Sequence, residues 1–191
     1  MIWHWASWAV LAGILVAAAV FDLRRGTVYN WLTYPAIVAG LIFGAIAGWA
    51  DGDLKAGLTD HLLGFGFGFG VLAIAYFLGG MGGGDVKLMG AVGAFLGWPG
   101  VLHAMFYSFL VGVAVGLIWM VWRGRTRAVV RRLAVAVRVL PLLGMKIDEA
   151  VPSDAQRVPF AFAVCVGSLW WLVEHEAHVS LGDLVCRLVS G

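Results

Sequence analysis

This chain has 191 residues, of which 62% are hydrophobic and only 13% charged, with a mean hydropathy of +0.92. So little polar surface excludes a soluble domain of this length. The apolar runs are continuous rather than alternating, which excludes a β-barrel, and a net charge of +2 gives no reason to expect a nucleic-acid partner.

Several runs approach the roughly 20 residues that cross about 30 Å of hydrocarbon. They predict an all-α, polytopic membrane protein of about six transmembrane helices, with residues 1–191 forming a single membrane-embedded domain. The first span is expected at Trp3–Phe21. Its Ala17-Ala18-Ala19 run resembles a signal cleavage site, but no basic residue precedes the apolar stretch and arginines follow it. That order predicts a retained helix with its N-terminus outside.

The second span is expected at Trp31–Trp49 and the third at His61–Leu78. The third contains Gly64-Phe65-Gly66-Phe67-Gly68-Phe69-Gly70, in which Gly64/Gly68 and Gly66/Gly70 each have GxxxG spacing. Such spacing predicts close approach of a neighbouring helix; a glycine-lined substrate path is the alternative. A fourth, short span runs over Val86–Gly97 and is expected to end at the Trp98-Pro99-Gly100 turn. Val101–Trp122 makes the fifth and Val158–Val173 the sixth. Glu174, His175, Glu176 and His178 lack HExxH spacing and read as a solvated tail, so no metal is expected. Cys165 and Cys186 form no CxxC pair and read as small buried residues.

Charge tests this topology. If the loops at 22–30, 79–87 and 123–157 share one side, they carry 11 of the 13 Lys and Arg residues, leaving only Lys55 and Arg187 opposite. The positive-inside rule then makes these loops cytoplasmic and places both termini outside the cytoplasmic (inner) membrane. Within the basic 123–157 loop, Val129, Val130, Leu133, Ala134, Val137 and Leu140 recur at helical spacing beside Arg127, Arg131 and Arg138. Two readings stay open for it: an amphipathic helix on anionic lipid, or an ordinary topogenic loop.

The same topology brings two acids, Asp22 and Asp85, to one membrane face. A carboxylate at a transmembrane helix centre costs roughly 2.5–3.5 kcal/mol on insertion scales, so acids bordering such helices call for an explanation. Taken singly, each has a plain structural role. Asp22 could be a snorkelling side chain paired with Arg25, and Asp85 could cap the helix beginning at Val86. The glycine run before Asp85 lacks the GxxxxGK[ST] phosphate-loop pattern; it would let a substrate strand come close.

Taken together, the motifs resemble a known family. Asp22-Leu23-Arg24-Arg25-Gly26-Thr27-Val28-Tyr29-Asn30 with Leu32-Thr33-Tyr34-Pro35 is similar to the first signature of type IV prepilin peptidases. Gly82-Gly83-Gly84-Asp85-Val86-Lys87-Leu88 is similar to their second, the GxGD motif of intramembrane aspartic proteases, and Val158-Pro159-Phe160-Ala161 resembles a third. The chain departs from the pattern at Tyr29, where the family often has proline. No methyltransferase or zinc insertion follows the first span, so the chain resembles the short, peptidase-only members that serve tight-adherence pili or preflagellins.

The resemblance implies an aspartic endopeptidase that removes a short basic leader from prepilin-like precursors at the cytoplasmic membrane face. It implies Asp22 and Asp85 as catalytic pair, needs no cofactor, and leaves oligomeric state open. Arg25, Asn30, Gly82, Gly84 and Lys87 are the residues expected to bind substrate or support the site. Two close carboxylates share a proton, so one can act as base while the other acts as acid. Asp85 is expected near a helix N-terminus and Asp22 near a C-terminus. The rival is a small proton- or cation-coupled transporter using the same two acids.

Overall fold

A computed structural model describes residues 2–78, 81–122 and 160–177. The described residues are helical, in five elements: α1 (Ile2–Arg25), α2 (Asn30–Ala50), α3 (Leu54–Phe77), α4 (Gly83–Trp122) and α5 (Phe160–Ala177). The first four are long and apolar enough to cross a membrane, and α5 is shorter. The basic 123–157 loop, Val158, Pro159, Gly79, Gly80, His178 and Cys186 lie outside the described residues.

Local chemistry sets the helix ends. Arg24 and Arg25 occupy the last turn of α1, where cations complement the carbonyl end of a helix. Gly26 then takes φ 63°, and its N–H closes back on the Asp22 carbonyl at 2.7 Å. Tyr29 stays extended and α2 starts at Asn30. Between α2 and α3, Gly52 turns the chain at φ 84°, and the Asp53 carboxylate accepts the Ala56 N–H at 3.0 Å as an N-cap.

The expected fourth and fifth spans both lie within α4, one on each side of Gly97. At Gly97 (φ 71°, ψ −175°) α4 stops being helical. Contacts show what this does to the chain. A Cβ on Gly68 would touch Met89 O at 2.7 Å and Val101 Cγ2 at 3.0 Å, so residues on both sides of Gly97 lie beside one turn of α3. The chain therefore reverses there. It does so one residue before the expected Trp98-Pro99-Gly100 turn, and Pro99 falls at the start of the returning half, where a missing N–H costs little.

Packing between helices relies on small residues, as expected where lipid is as apolar as any side chain. Gly40 of α2 abuts Ala94 and Phe95, and Gly167 of α5 abuts Ser108. Leu11, Leu15, Leu72, Leu88, Met89, Val92, Val101 and Val164 form the buried centre. Val38, Ile42, Ile74, Phe106 and Val113 point outward, as a bilayer-facing surface requires. This is a multi-pass helical membrane protein.

One expectation is corrected at the end of α5. Glu174 is not part of a solvated tail, and His175, though exposed, is engaged by aromatic rings. The helix runs on to Ala177, Glu174 hydrogen-bonds Tyr107 on α4, and His175 stacks on Trp171 at 5.0 Å with 21° between rings. It also makes a T-shaped contact with Trp8 at 5.7 Å between ring centres. Aromatic neighbours hold a stretch that its polar composition assigns to water. Cys165, in contrast, is buried on α5 as expected.

Candidate active site

Asp22 lies on the last turn of α1, and its partner comes from the far end of the chain. Its Oδ2 accepts the backbone N–H of Ala161 at 2.9 Å, with the Phe162 N–H alongside. The first N–H groups of a helix have no partner within it, so a carboxylate there satisfies an otherwise unpaired donor. Asp22 therefore meets two helix ends at once: the C-terminus of α1, as expected, and the N-terminus of α5, whose dipole favours an anion by about 0.3–1 kcal/mol. Sequence spacing could not reveal this contact across 139 positions; the signal was the motif resemblance at Val158–Ala161.

Asp85 occupies the first turn of α4, its N–H donated to the Gly82 carbonyl at 3.1 Å. The two flanking glycines do different work. A Cβ on Gly82 would lie 3.2 Å from Asp85 Oδ2, so its absence keeps that side of the carboxylate clear. A Cβ on Gly84 would lie 3.0 Å from Val28 Cβ and 3.2 Å from Val28 O, so glycine there lets the start of α4 rest on the α1–α2 connection. The first turn of α4, the connection after Asp22, and the first turn of α5 thus meet at one end of the bundle. Both acids are partly buried there.

Lys87 ties the same parts together. Its Nζ donates to Asn30 Oδ1 at 2.8 Å and lies 4.9 Å from the centre of the Tyr34 ring. Lys87 and Asn30 are therefore brought together as a latch between α4 and α2. Exposed hydrogen bonds of this kind contribute about 0.5–1 kcal/mol. A double-mutant cycle with Lys87→Met and Asn30→Ala should return a coupling of that size in thermal unfolding; strict additivity would show the latch is not formed.

Arg25 does not join this group. Its Nη1 donates to the Tyr29 hydroxyl at 2.7 Å and its guanidinium sits 5.9 Å from that ring's centre. The Asp22–Arg25 pairing weighed from the sequence is not formed. Tyr29 itself explains how the chain dispenses with a proline. Its φ of −79° and ψ of 139° are values that proline favours, while its ring packs edge-on against Phe21 at 5.4 Å. Among the described residues no three His, Cys, Asp or Glu side chains form a metal-holding group.

The type IV leader peptidase family matches residues 9–117, a stretch that includes Asp22 and Asp85. Three curated relatives each carry the name prepilin leader peptidase/N-methyltransferase. The Burkholderia pseudomallei protein is 33% identical over 123 residues, covering 61% of this chain and 38% of the relative. The Xanthomonas campestris protein is 35% identical over 133 residues, covering 66% and 44%, and the Neisseria gonorrhoeae protein is 31% identical over 127, covering 62% and 44%. Each match thus spans less than half the length of the relative. No solved structure matches. The two acid-bearing motifs fall inside the shared stretch, and the chain belongs to the type IV leader peptidase family.

Proposed function

We propose that this protein is an intramembrane aspartic endopeptidase that removes the short basic leader of prepilin-like or preflagellin-like precursors. The observation that carries this reading is the meeting of the Asp22 and Asp85 segments at one end of the bundle. Family membership, and the names of the relatives, support the substrate class.

In the proposed reaction one carboxylate is ionised and the other protonated, because like charges held close resist ionising together. The ionised acid takes a proton from water as its oxygen bonds to the scissile carbonyl carbon. The protonated acid hydrogen-bonds the carbonyl oxygen as negative charge develops on it. The carbon–nitrogen bond then breaks, and a proton from the dyad goes to the leaving amine. The leader leaves with a new carboxyl group, and the mature protein keeps a new amino terminus. Gly82 leaves room beside Asp85, and Gly84, Asn30 and Lys87 hold the α4 start against the turn that follows Asp22. Arg25 supports the same turn through Tyr29.

The distribution of basic residues supports placing this end at the cytoplasmic face of the inner membrane, with both termini outside and the 123–157 loop against anionic lipid. A precursor with a basic cytoplasmic leader and a hydrophobic helix would then present its junction to the acids. Residues 1–191 would act as one peptidase unit. Co-expression with candidate precursors, followed by mass measurement of the mature N-terminus, tests this. Leader loss that depends on this protein is the expected result; uncut precursors of every candidate class, with the protein present in the membrane, would overturn it.

A further inference from the structure

The break in α4 separates two backbone groups from their helical partners. In an uninterrupted helix the Trp98 N–H would donate to the Ala94 carbonyl, one turn back. At Gly97 (φ 71°, ψ −175°) the peptide that carries this N–H is rotated out of line. A backbone group stranded in this way needs another partner. Two consecutive side chains on the second turn of α3 supply both. Asp60 Oδ1 accepts the Trp98 N–H at 3.3 Å, and His61 Nδ1 lies 2.8 Å from the Ala94 carbonyl oxygen. A carbonyl can only accept, so Nδ1 carries the hydrogen.

The pair straddles the break. His61 holds the half of α4 that carries Asp85, and Asp60 holds the first turn of the half that returns, where a carboxylate also suits the helix start. Gly97 serves this joint twice. Its positive φ makes the turn, and any Cβ on it would run into the Asp60 carboxylate. One turn further along α3, Gly64 and Gly93 meet backbone to backbone. A contact so smooth sets how far apart two helices lie, but it resists sliding weakly. Hydrogen bonds are directional and do resist it. A slide of one residue would carry Asp85 about 1.5 Å along the helix axis. A misplacement of about 1 Å can cost about 10²-fold in rate.

We propose that Asp60 and His61 are positioning residues for Asp85: standing in for the missing Ala94–Trp98 bond, they fix the register of α4 on α3. The effect on rate rests on the peptidase reading, whereas the register is measured without any cleavage.

The test uses the full chain in detergent micelles and a precursor that co-expression shows it to cut. Asp60→Leu has a similar shape but no acceptor. It should lower kcat about tenfold or more and leave KM within about twofold. Asp60→Asn keeps an oxygen for the Trp98 N–H and should hold kcat within about threefold of the parent. His61→Leu and His61→Asn, whose amide nitrogen replaces Nδ1, should behave in the same two ways, and they decide the matter if Asp60→Leu loses its thermal transition. Register is read by pairing Phe69→Cys with Gly90→Cys. A Cβ on Gly90 would lie 3.3 Å from the Phe69 Cβ, near the roughly 3.5–4.5 Å that a disulfide spans. Oxidation of this pair, identified by the mass of the linked peptides, should slow severalfold in the Leu variants and stay at the parental rate in the Asn variants. Parental kcat or parental oxidation in a folded Leu variant would overturn the proposal, and so would an Asn variant as impaired as its Leu counterpart. If the parent cuts no precursor, the peptidase reading fails and the oxidation rates alone decide whether the two side chains set the register.

Discussion

Asp22→Asn and Asp85→Asn should each reduce leader cleavage on the order of 10³-fold or more, to the floor of a co-expression assay, while the protein still accumulates in the membrane. The argument rests on what each substitution keeps. Asparagine at 22 still offers an oxygen to the Ala161 N–H, so the junction between α1 and α5 survives. Asparagine at 85 still follows Gly82 into the first turn of α4. Shape persists in both, and only the ability to share a proton goes. Groups that act as a unit are lost together, so the double variant should be no worse than either single one. Asp22→Ala separates chemistry from structure. It removes the acceptor from the α5 N-terminus as well, at about 0.5–2 kcal/mol, so it should lower the thermal midpoint where Asp22→Asn does not. Cleavage retained by either Asn variant would remove that acid from the mechanism.

Different parts of this site were legible in the sequence to different depths, for physical reasons. That the Asp22 and Asp85 segments share one end of the bundle followed from counting apolar runs, because two full spans between them return the chain to the end it left. The Lys87–Asn30 latch was half legible: both residues were candidates, but their pairing across 57 positions depends on how deeply α4 seats against the turn at Val28. That depth is set by Gly84. The bond from Ala161 to Asp22 was not legible from local pattern, because a backbone donor carries no residue signature. The Asp22–Arg25 pairing, one alternative the sequence offered, is absent for a related reason. Helical spacing put Arg25 beside Asp22, yet the extended Tyr29 offered its hydroxyl nearer the exposed arginine. Composition misled at Glu174, where polarity suggested water and the hydroxyl of Tyr107 on α4 supplied a partner instead.

Valine at Gly64 or Gly93 should unfold the protein readily, with a loss of about 1–3 kcal/mol or more, whereas alanine at Gly66 or Gly70 should change stability by less than about 0.5 kcal/mol. The alternating glycines look equivalent in the sequence, and both GxxxG pairs were expected to admit a neighbour. Helix geometry splits them. Gly64 and Gly68 are buried against α4, while a Cβ on Gly66 or Gly70 meets nothing within 4 Å. A Cβ on Gly93 would lie 2.5 Å from the Gly64 carbonyl carbon, and one on Gly64 would lie 2.6 Å from that of Gly97. These are backbone atoms, which cannot swing aside as a side chain can. Relief would require α4 to move off α3, and α4 carries Asp85 only eight residues, roughly 12 Å, before Gly93. Thermal unfolding in micelles measures the first effect and the leader assay the second, and both should fall together at 64 and 93. Stability that tolerated valine at Gly93 would mean that α3 and α4 are further apart than their backbones are placed, and the position of Asp85 would have to be set by something other than this contact.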